Sequence, residues 1–170
     1  MVHPLVEQIR FTRAELKRAL DGVTDEEAQQ RLDSINSIGW IICHLASQER
    51  RYWLIRAQGT TDTVTELDEW GGYGIPANTP PLNESWAAWE AATAAVDPFL
   101  DELTTERMLE HLSTNGTTAP ESIGTMLLRV LYHYWFHIGE AYAVRQMLGH
   151  TDLPEFVGAL GKDAPFKPWQ

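Results

Sequence analysis

From Glu121 to Leu148 the residues Ile123, Leu127, Val130, Tyr134, His137, Ala141, Val144 and Leu148 recur at intervals of three or four. That period predicts a helix of about eight turns with one continuous buried face, and Gly149 supplies its stop. A helix of this length cannot hide such a stripe alone, so it must pack against other elements. His133 and His137 lie on or beside the stripe, where a titratable imidazole is an uncommon choice.

Three other segments repeat the pattern. Leu5, Ile9, Thr12, Leu16 and Ala19 or Leu20 predict a first helix that begins just after His3, with Pro4 in its first turn, and stops before Gly22. Ser34 or Asn36 can cap a second helix reaching Gln58, with Ile38, Ile41, Leu45, Tyr52 and Ile55 inward and Gly59 at its end. A third runs from Asn83 to Leu103 on Trp86, Trp89, Thr93, Val96, Leu100 and Leu103, with Pro98 inside it. Thr24-Asp25-Glu26-Glu27 has the form of a capping box on a short connector. From Gly59 to Leu82 the chain is rich in glycine and proline and reads as a crossover, a kind of loop that in compact domains is usually functional or mobile. Gly116 to Pro120 break the chain before the last helix. No alternating strand pattern and no repeat is visible. The expectation is an all-α chain, a four-helix bundle with a long crossover between helices two and three. A chain of 170 residues with 44% hydrophobic content fits one domain over 1–170, with a core of 1–149 and a C-terminal extension of 150–170.

Charge narrows the partners. With 13 basic against 24 acidic side chains the net charge is −11, which repels phosphate backbones and anionic membrane surfaces. Nucleic acid is not expected. The N-terminal residues have no basic patch followed by an apolar core, and nowhere do eighteen apolar residues run together, so neither export nor a membrane partner is expected. The single cysteine, Cys43, excludes an intramolecular disulfide framework and suits a reducing, cytoplasmic location.

On a helix His133 and His137 project about 40° and one turn apart, close enough for both to reach a single ion. His44 lies mid-helix on the second segment, and a bundle can bring it opposite the pair. Three neutral imidazoles suit a divalent transition metal such as zinc, nickel, cobalt or iron, and leave positions open for water or substrate. Spacing alone also fits hydrogen-bonded core histidines. The pair is not a zinc-protease signature, because Tyr134 stands where a glutamate is required, and Arg129 and Val130 exclude the Glu-x-x-His pattern of di-iron bundles.

The run Asn36-Ser37-Ile38-Gly39-Trp40-Ile41-Ile42-Cys43-His44-Leu45-Ala46, then His133-x-x-x-His137-x-Gly139-Glu140 before Arg145-Gln146-x-Leu148-Gly149, resembles the DinB-like superfamily from the first helix to Gly149. The resemblance implies an up-down-down-up four-helix bundle, a divalent metal on a histidine triad and frequent dimers. It also implies, where activity is known, transferases and isomerases that use a low-molecular-weight thiol. His44, His133 and His137 match the family's metal positions.

Glu140, about 20° from His133 in projection, can take the proton of a ligand's second nitrogen or act on bound water; its other reading is a carboxylate paired with Arg129 or Arg145. Gln48 can contact substrate or satisfy a core polar group, and Glu49, about 140° around from His44, reads as a solvated or inter-helix ion-pair residue. Cys43 reads as a small buried hydrophobe. Trp40, Trp86, Trp89 and Trp135 are explained by core filling, and Tyr134 and Phe136 by packing against neighbouring helices. Trp70 and Tyr73 either pack or wall a pocket. His3, His111 and His150 read as surface residues. The leading expectation is a metal-dependent enzyme that activates a thiol or water against a small electrophilic substrate, with Glu140 as proton carrier and Arg51, Arg129 and Arg145 as local positive charge. The alternatives are a non-catalytic metal- or small-ligand-binding stress protein and a bundle whose exposed face serves protein association. A homodimer is expected.

Overall fold

The computed structural model describes residues 2–60, 66–72, 74, 78–114 and 116–167. It is mostly helical. The long elements are α1 (Pro4–Ala19), α3 (Ile38–Glu49) with a π-helical continuation over Arg50–Arg56, α5 (Leu82–Asp101) and α7 (Ile123–Met147). Short helices α2 (Asp25–Gln29), α4 (Glu66–Trp70), α6 (Thr105–Leu109) and α8 (Leu160–Asp163) fill the connections. α3 packs against both α5 and α7, and α1 against α7. No described helix is long and apolar enough to cross a membrane.

The stripes read from the sequence are the faces that meet. Ile9 and Leu16 of α1, Ile38, Ile41 and Leu45 of α3, Val96 and Leu100 of α5, and Ile123, Leu127, Val130 and Tyr134 of α7 are buried. Local chemistry sets the ends. His3 Nδ1 accepts from Leu5 N at the start of α1, Ser122 accepts from Thr125 N at the start of α7, and Gly149, at φ 92°, follows its last turn. Ser37, rather than Ser34 or Asn36, caps α3, its hydroxyl accepting from Trp40 N.

Three expectations need correction. Residues His111–Thr114 and Thr117–Ser122 form an antiparallel two-stranded hairpin, β1 and β2, where no strand was expected. The strands are mostly exposed on both faces, so no apolar alternation betrays them. Ile55 is exposed, while Trp53 and Leu54 are buried. The wider π turn rotates everything after Arg50 off the 3.6-residue register that placed Ile55 inward. Phe136 is 68% exposed rather than packed against a neighbouring helix, because α7 buries only the stripe that carries Tyr134 and His137.

A polar network crosses this core and touches every long helix. Arg13 of α1 donates to Glu49 of α3 through Nε (2.9 Å) and Nη2, and to Asp97 of α5 through Nη1 (2.7 Å). Tyr134 of α7 donates to Glu49 Oε1 (2.6 Å) and accepts from Trp89 Nε1 of α5 (2.9 Å). Glu49 is thus the inter-helix ion-pair residue, fully buried, and not the solvated one. Burial, with the Glu49 carboxylate beside it, pushes the Tyr134 phenol well above its ordinary pKa.

The C-terminal extension is irregular and lies along α1 and α7. Glu15 Oε2 accepts from Gly158 N (2.9 Å), Gln8 Nε2 donates to Ala164 O (2.9 Å), and Tyr142 donates to Pro154 O (2.8 Å). His150 also binds inward, its Nε2 lying 2.8 Å from Glu27 Oε1. Glu27 closes the expected capping box with Thr24. Hydrogen bonds from the Thr24 backbone and His150 hold its carboxyl at about 2, below the ordinary 4.5. A depressed carboxylate contributes stability that is full above pH 4.5 and lost as pH falls through about 2. Glu27→Gln is therefore expected to lower Tm by roughly 2 °C at pH 7. The two proteins should converge near pH 2 in thermal scans, and an equal gap at both pH values would refute the charge argument.

Candidate metal centre

His44 sits in the middle of α3, and His133 and His137 one turn apart on α7. Packing of α3 on α7 brings one ring nitrogen of each within 4.8 Å of the others. Ring centroids are 5.0 Å apart for His44 and His133, 5.2 Å for His44 and His137, and 4.5 Å for His133 and His137. Trp40, one turn before His44, stacks on its ring at 4.3 Å and presents an edge to His137 at 6.0 Å. The tryptophan does more than fill the core, since it limits the rotation of two of the three imidazoles.

Each imidazole is held from outside by its other nitrogen. His44 Nδ1 donates to Gly71 O (2.7 Å), His133 Nδ1 to Gln48 Oε1 (2.7 Å), and His137 Nδ1 to Glu140 Oε2 (2.7 Å). The partners are a carbonyl, an amide oxygen and a carboxylate, all acceptors, so the proton of each ring is assigned to Nδ1 and the lone pair to Nε2. His133 Nε2 and His137 Nε2 then meet at 2.9 Å with lone pairs facing, an arrangement that is repulsive unless a cation or proton lies between them. Donors spaced in this way, with all their N–H groups turned outward, could hold a borderline transition metal.

Electrostatics favours neutral imidazoles at His133 and His44. Burial, reinforced by the neighbouring His137, His44 and Arg51, pushes His133 down to about 3. Burial also lowers His44, although its bond to Gly71 opposes the shift. Glu140 is held below the usual carboxylate range because bonds from His137 and from Asn36 Nδ2 (3.0 Å) outweigh its burial. It pairs with neither Arg129, which is bound to Glu121, nor Arg145, which is bound to Ala19 O and His150.

Two anchors could not be read from spacing. Gln48, which the sequence offers as a substrate contact or a core polar group, orients His133. Gly71 appeared only as a loop glycine. A Cβ there would stand 2.4 Å from His44 N and 2.5 Å from the Cys43 carbonyl carbon, so only glycine lets the crossover carbonyl reach the imidazole. The adjacent α4 is fastened by Arg50, whose Nη1 donates to Asp68 Oδ1 (2.7 Å). Trp70 packs against the core, and Tyr73 lies outside the described residues. Cys43 is buried and its thiol pushed up to about 11, which leaves it inert as expected.

A cavity of about 650 Å³ opens beside the cluster, lined from the α3 side by His44, Gln48, Arg51 and Tyr52 and from the α7 side by Glu121, Arg129, Tyr132 and His133. Arg145 is not part of it. No curated protein matches the chain. The family model of the DinB superfamily matches residues 8–141, a span that starts within α1, contains His44 of α3, and runs past His133, His137 and Glu140 of α7. That span covers most of the sequence and every part of the histidine cluster, and by it the chain belongs to the DinB superfamily.

Proposed function

We propose that His44, His133 and His137 hold one divalent transition ion, zinc, nickel or iron, and that the chain is a metal-dependent enzyme turning a thiol or water onto a small electrophile. The observation that carries this reading is the convergence of three Nε2 lone pairs whose partner nitrogens are all bonded outward. Bound there, such an ion lowers the pKa of a coordinated thiol or water and polarises a carbonyl. The protein's own residues work by position. Gly71, Gln48 and Glu140 keep the three rings in one tautomer and aim them at one point. Of the two tasks expected of Glu140, its bonds favour orienting His137; accepting the proton of an incoming thiol or water remains part of the proposal, because its carboxylate is ionised and one imidazole away.

The cavity favours turnover over a non-catalytic metal- or small-ligand-binding stress protein. Its volume of about 650 Å³ lies in the range of small-molecule sites, and it reaches two of the three histidines, so a low-molecular-weight thiol and its acceptor have a route in. We read α1, α3, α5 and α7 as an up-down-down-up four-helix bundle forming a single domain over 1–170, in a reducing cytoplasmic setting. The exposed Tyr132 and Phe136 of α7 are the face on which a homodimer would form.

The test is metal-loaded protein incubated with small thiols and a chlorinated or maleyl-type electrophile. Loss of the electrophile is expected only with metal present, requiring thiol where a thiol attacks and none where water does, and Glu140→Gln should slow it about 10–100-fold. A protein that holds metal tightly yet consumes no thiol or electrophile would support the non-catalytic reading instead.

A further inference from the structure

Among the described residues, the buried and half-buried arginines are matched to acceptors with one exception. Arg10 and Arg13 bind Asp97, Arg18 binds Glu15, Arg50 binds Asp68, and Arg145 binds Ala19 O. Arg51 is half-buried, its Nε is shielded from solvent and has no hydrogen-bond partner, and no carboxylate pairs with it. Its one described contact is with the ring of Tyr52, at 5.5 Å. In a chain with 24 acidic and 13 basic side chains, a partly desolvated cation without a carboxylate is a conspicuous exception.

The place of that exception is informative. Arg51 follows His44 by seven residues, at the start of the π-helical continuation of α3, and lines the cavity that His44 and His133 also line. Its charge bears on both imidazoles. Ser47 and Thr125 add hydroxyls to the lining, while Arg129 is already bound to Glu121.

We propose that Arg51 is the specificity residue of the cavity and takes the carboxylate of a small organic acid whose other end reaches the histidine cluster. The inference rests on the metal-site reading and adds its substrate class. A guanidinium matches a planar carboxylate with two parallel N–H bonds, and a site built for that charge rejects the neutral analogue. It also resolves how an acidic protein draws in an acid, since Glu121, the carboxylate in the lining, is bound to Arg129 and leaves the charge of Arg51 for the ligand.

The probes are 3-mercaptopropionate and its uncharged amide, titrated into cobalt-loaded protein and followed by the sulfur-to-cobalt absorption. The carboxylate is expected to bind at least about tenfold more tightly than the amide, and Arg51→Gln should abolish that preference while leaving amide affinity and cobalt content unchanged. Equal affinities in the parent, or a preference that survives in Arg51→Gln, would overturn the assignment. If cobalt does not bind, the metal reading fails separately. Calorimetry with the same two probes on metal-free protein then decides Arg51 by the same criterion, a carboxylate preference lost in Arg51→Gln supporting it and no preference overturning it.

Discussion

His137→Ala is expected to lose metal affinity by more than about 100-fold, a larger effect than the 10–100-fold that follows when only an orienting partner is removed. The side chain is buried, donates through Nδ1 to Glu140 and turns Nε2 toward His133. Parent protein purified without an affinity tag should carry about one transition ion per chain by elemental mass spectrometry. His44→Ala and His137→Ala should carry none. Thermal scans give an independent readout. Metal at about 100 times its Kd stabilises by about 2.7 kcal/mol, or roughly 5–10 °C for a chain of this size, and the variants should show no such shift. Gln48→Ala and Glu140→Gln should fall between parent and ligand variants. A parent that takes up no zinc, nickel or iron under reducing conditions would leave the cluster as three core histidines and sink the catalytic reading with it.

The ranking of those variants mirrors how far the site can be read from the sequence. His133, His137 and Glu140 share one helix, and a repeat of 3.6 residues places them on one side of it, so their alignment was legible from spacing. His44 was legible as an imidazole on a stripe that had to face inward. The outer anchors were not. Gln48 meets His133 across 85 positions and Gly71 meets His44 across 27, distances at which no local period carries information. The long helices were legible because each buries one continuous stripe, and the departures have local causes. The hairpin at His111–Ser122 buries too little to show alternation, and the π turn at Arg50–Arg56 breaks the register that the periodicity assumes. Arg51 was legible as a positive charge near the site but not as an unpaired one, since pairing is decided by which carboxylates the fold brings alongside.

Glu49→Ala is expected to destabilise the protein by about 3–5 kcal/mol, lowering Tm by roughly 10 °C or more. Glu49 is fully buried and binds both Arg13 and Tyr134. Burial opposes the charge on Arg13, and it is Glu49 above all that offsets this cost and raises the guanidinium pKa. Truncation leaves that cation in the core with only Asp97, whose side chain is 40% exposed and therefore screened. Tyr134→Phe removes one hydrogen bond to Glu49 and the acceptor of Trp89 Nε1, and should cost about 1–3 kcal/mol. Arg13→Met combined with Glu49→Leu removes both charges and should recover most of the loss seen in Glu49→Ala, because the large cost is an unpaired buried charge and not a missing attraction. Urea unfolding of the three variants measures this directly. Glu49 and Tyr134 each directly follow a residue of the histidine site, Gln48 and His133, so Glu49→Ala should also loosen the contact between them and weaken metal binding. A loss below about 1 kcal/mol would mean that water or Asp97 already satisfies Arg13, and that the network does not hold α3 against α7.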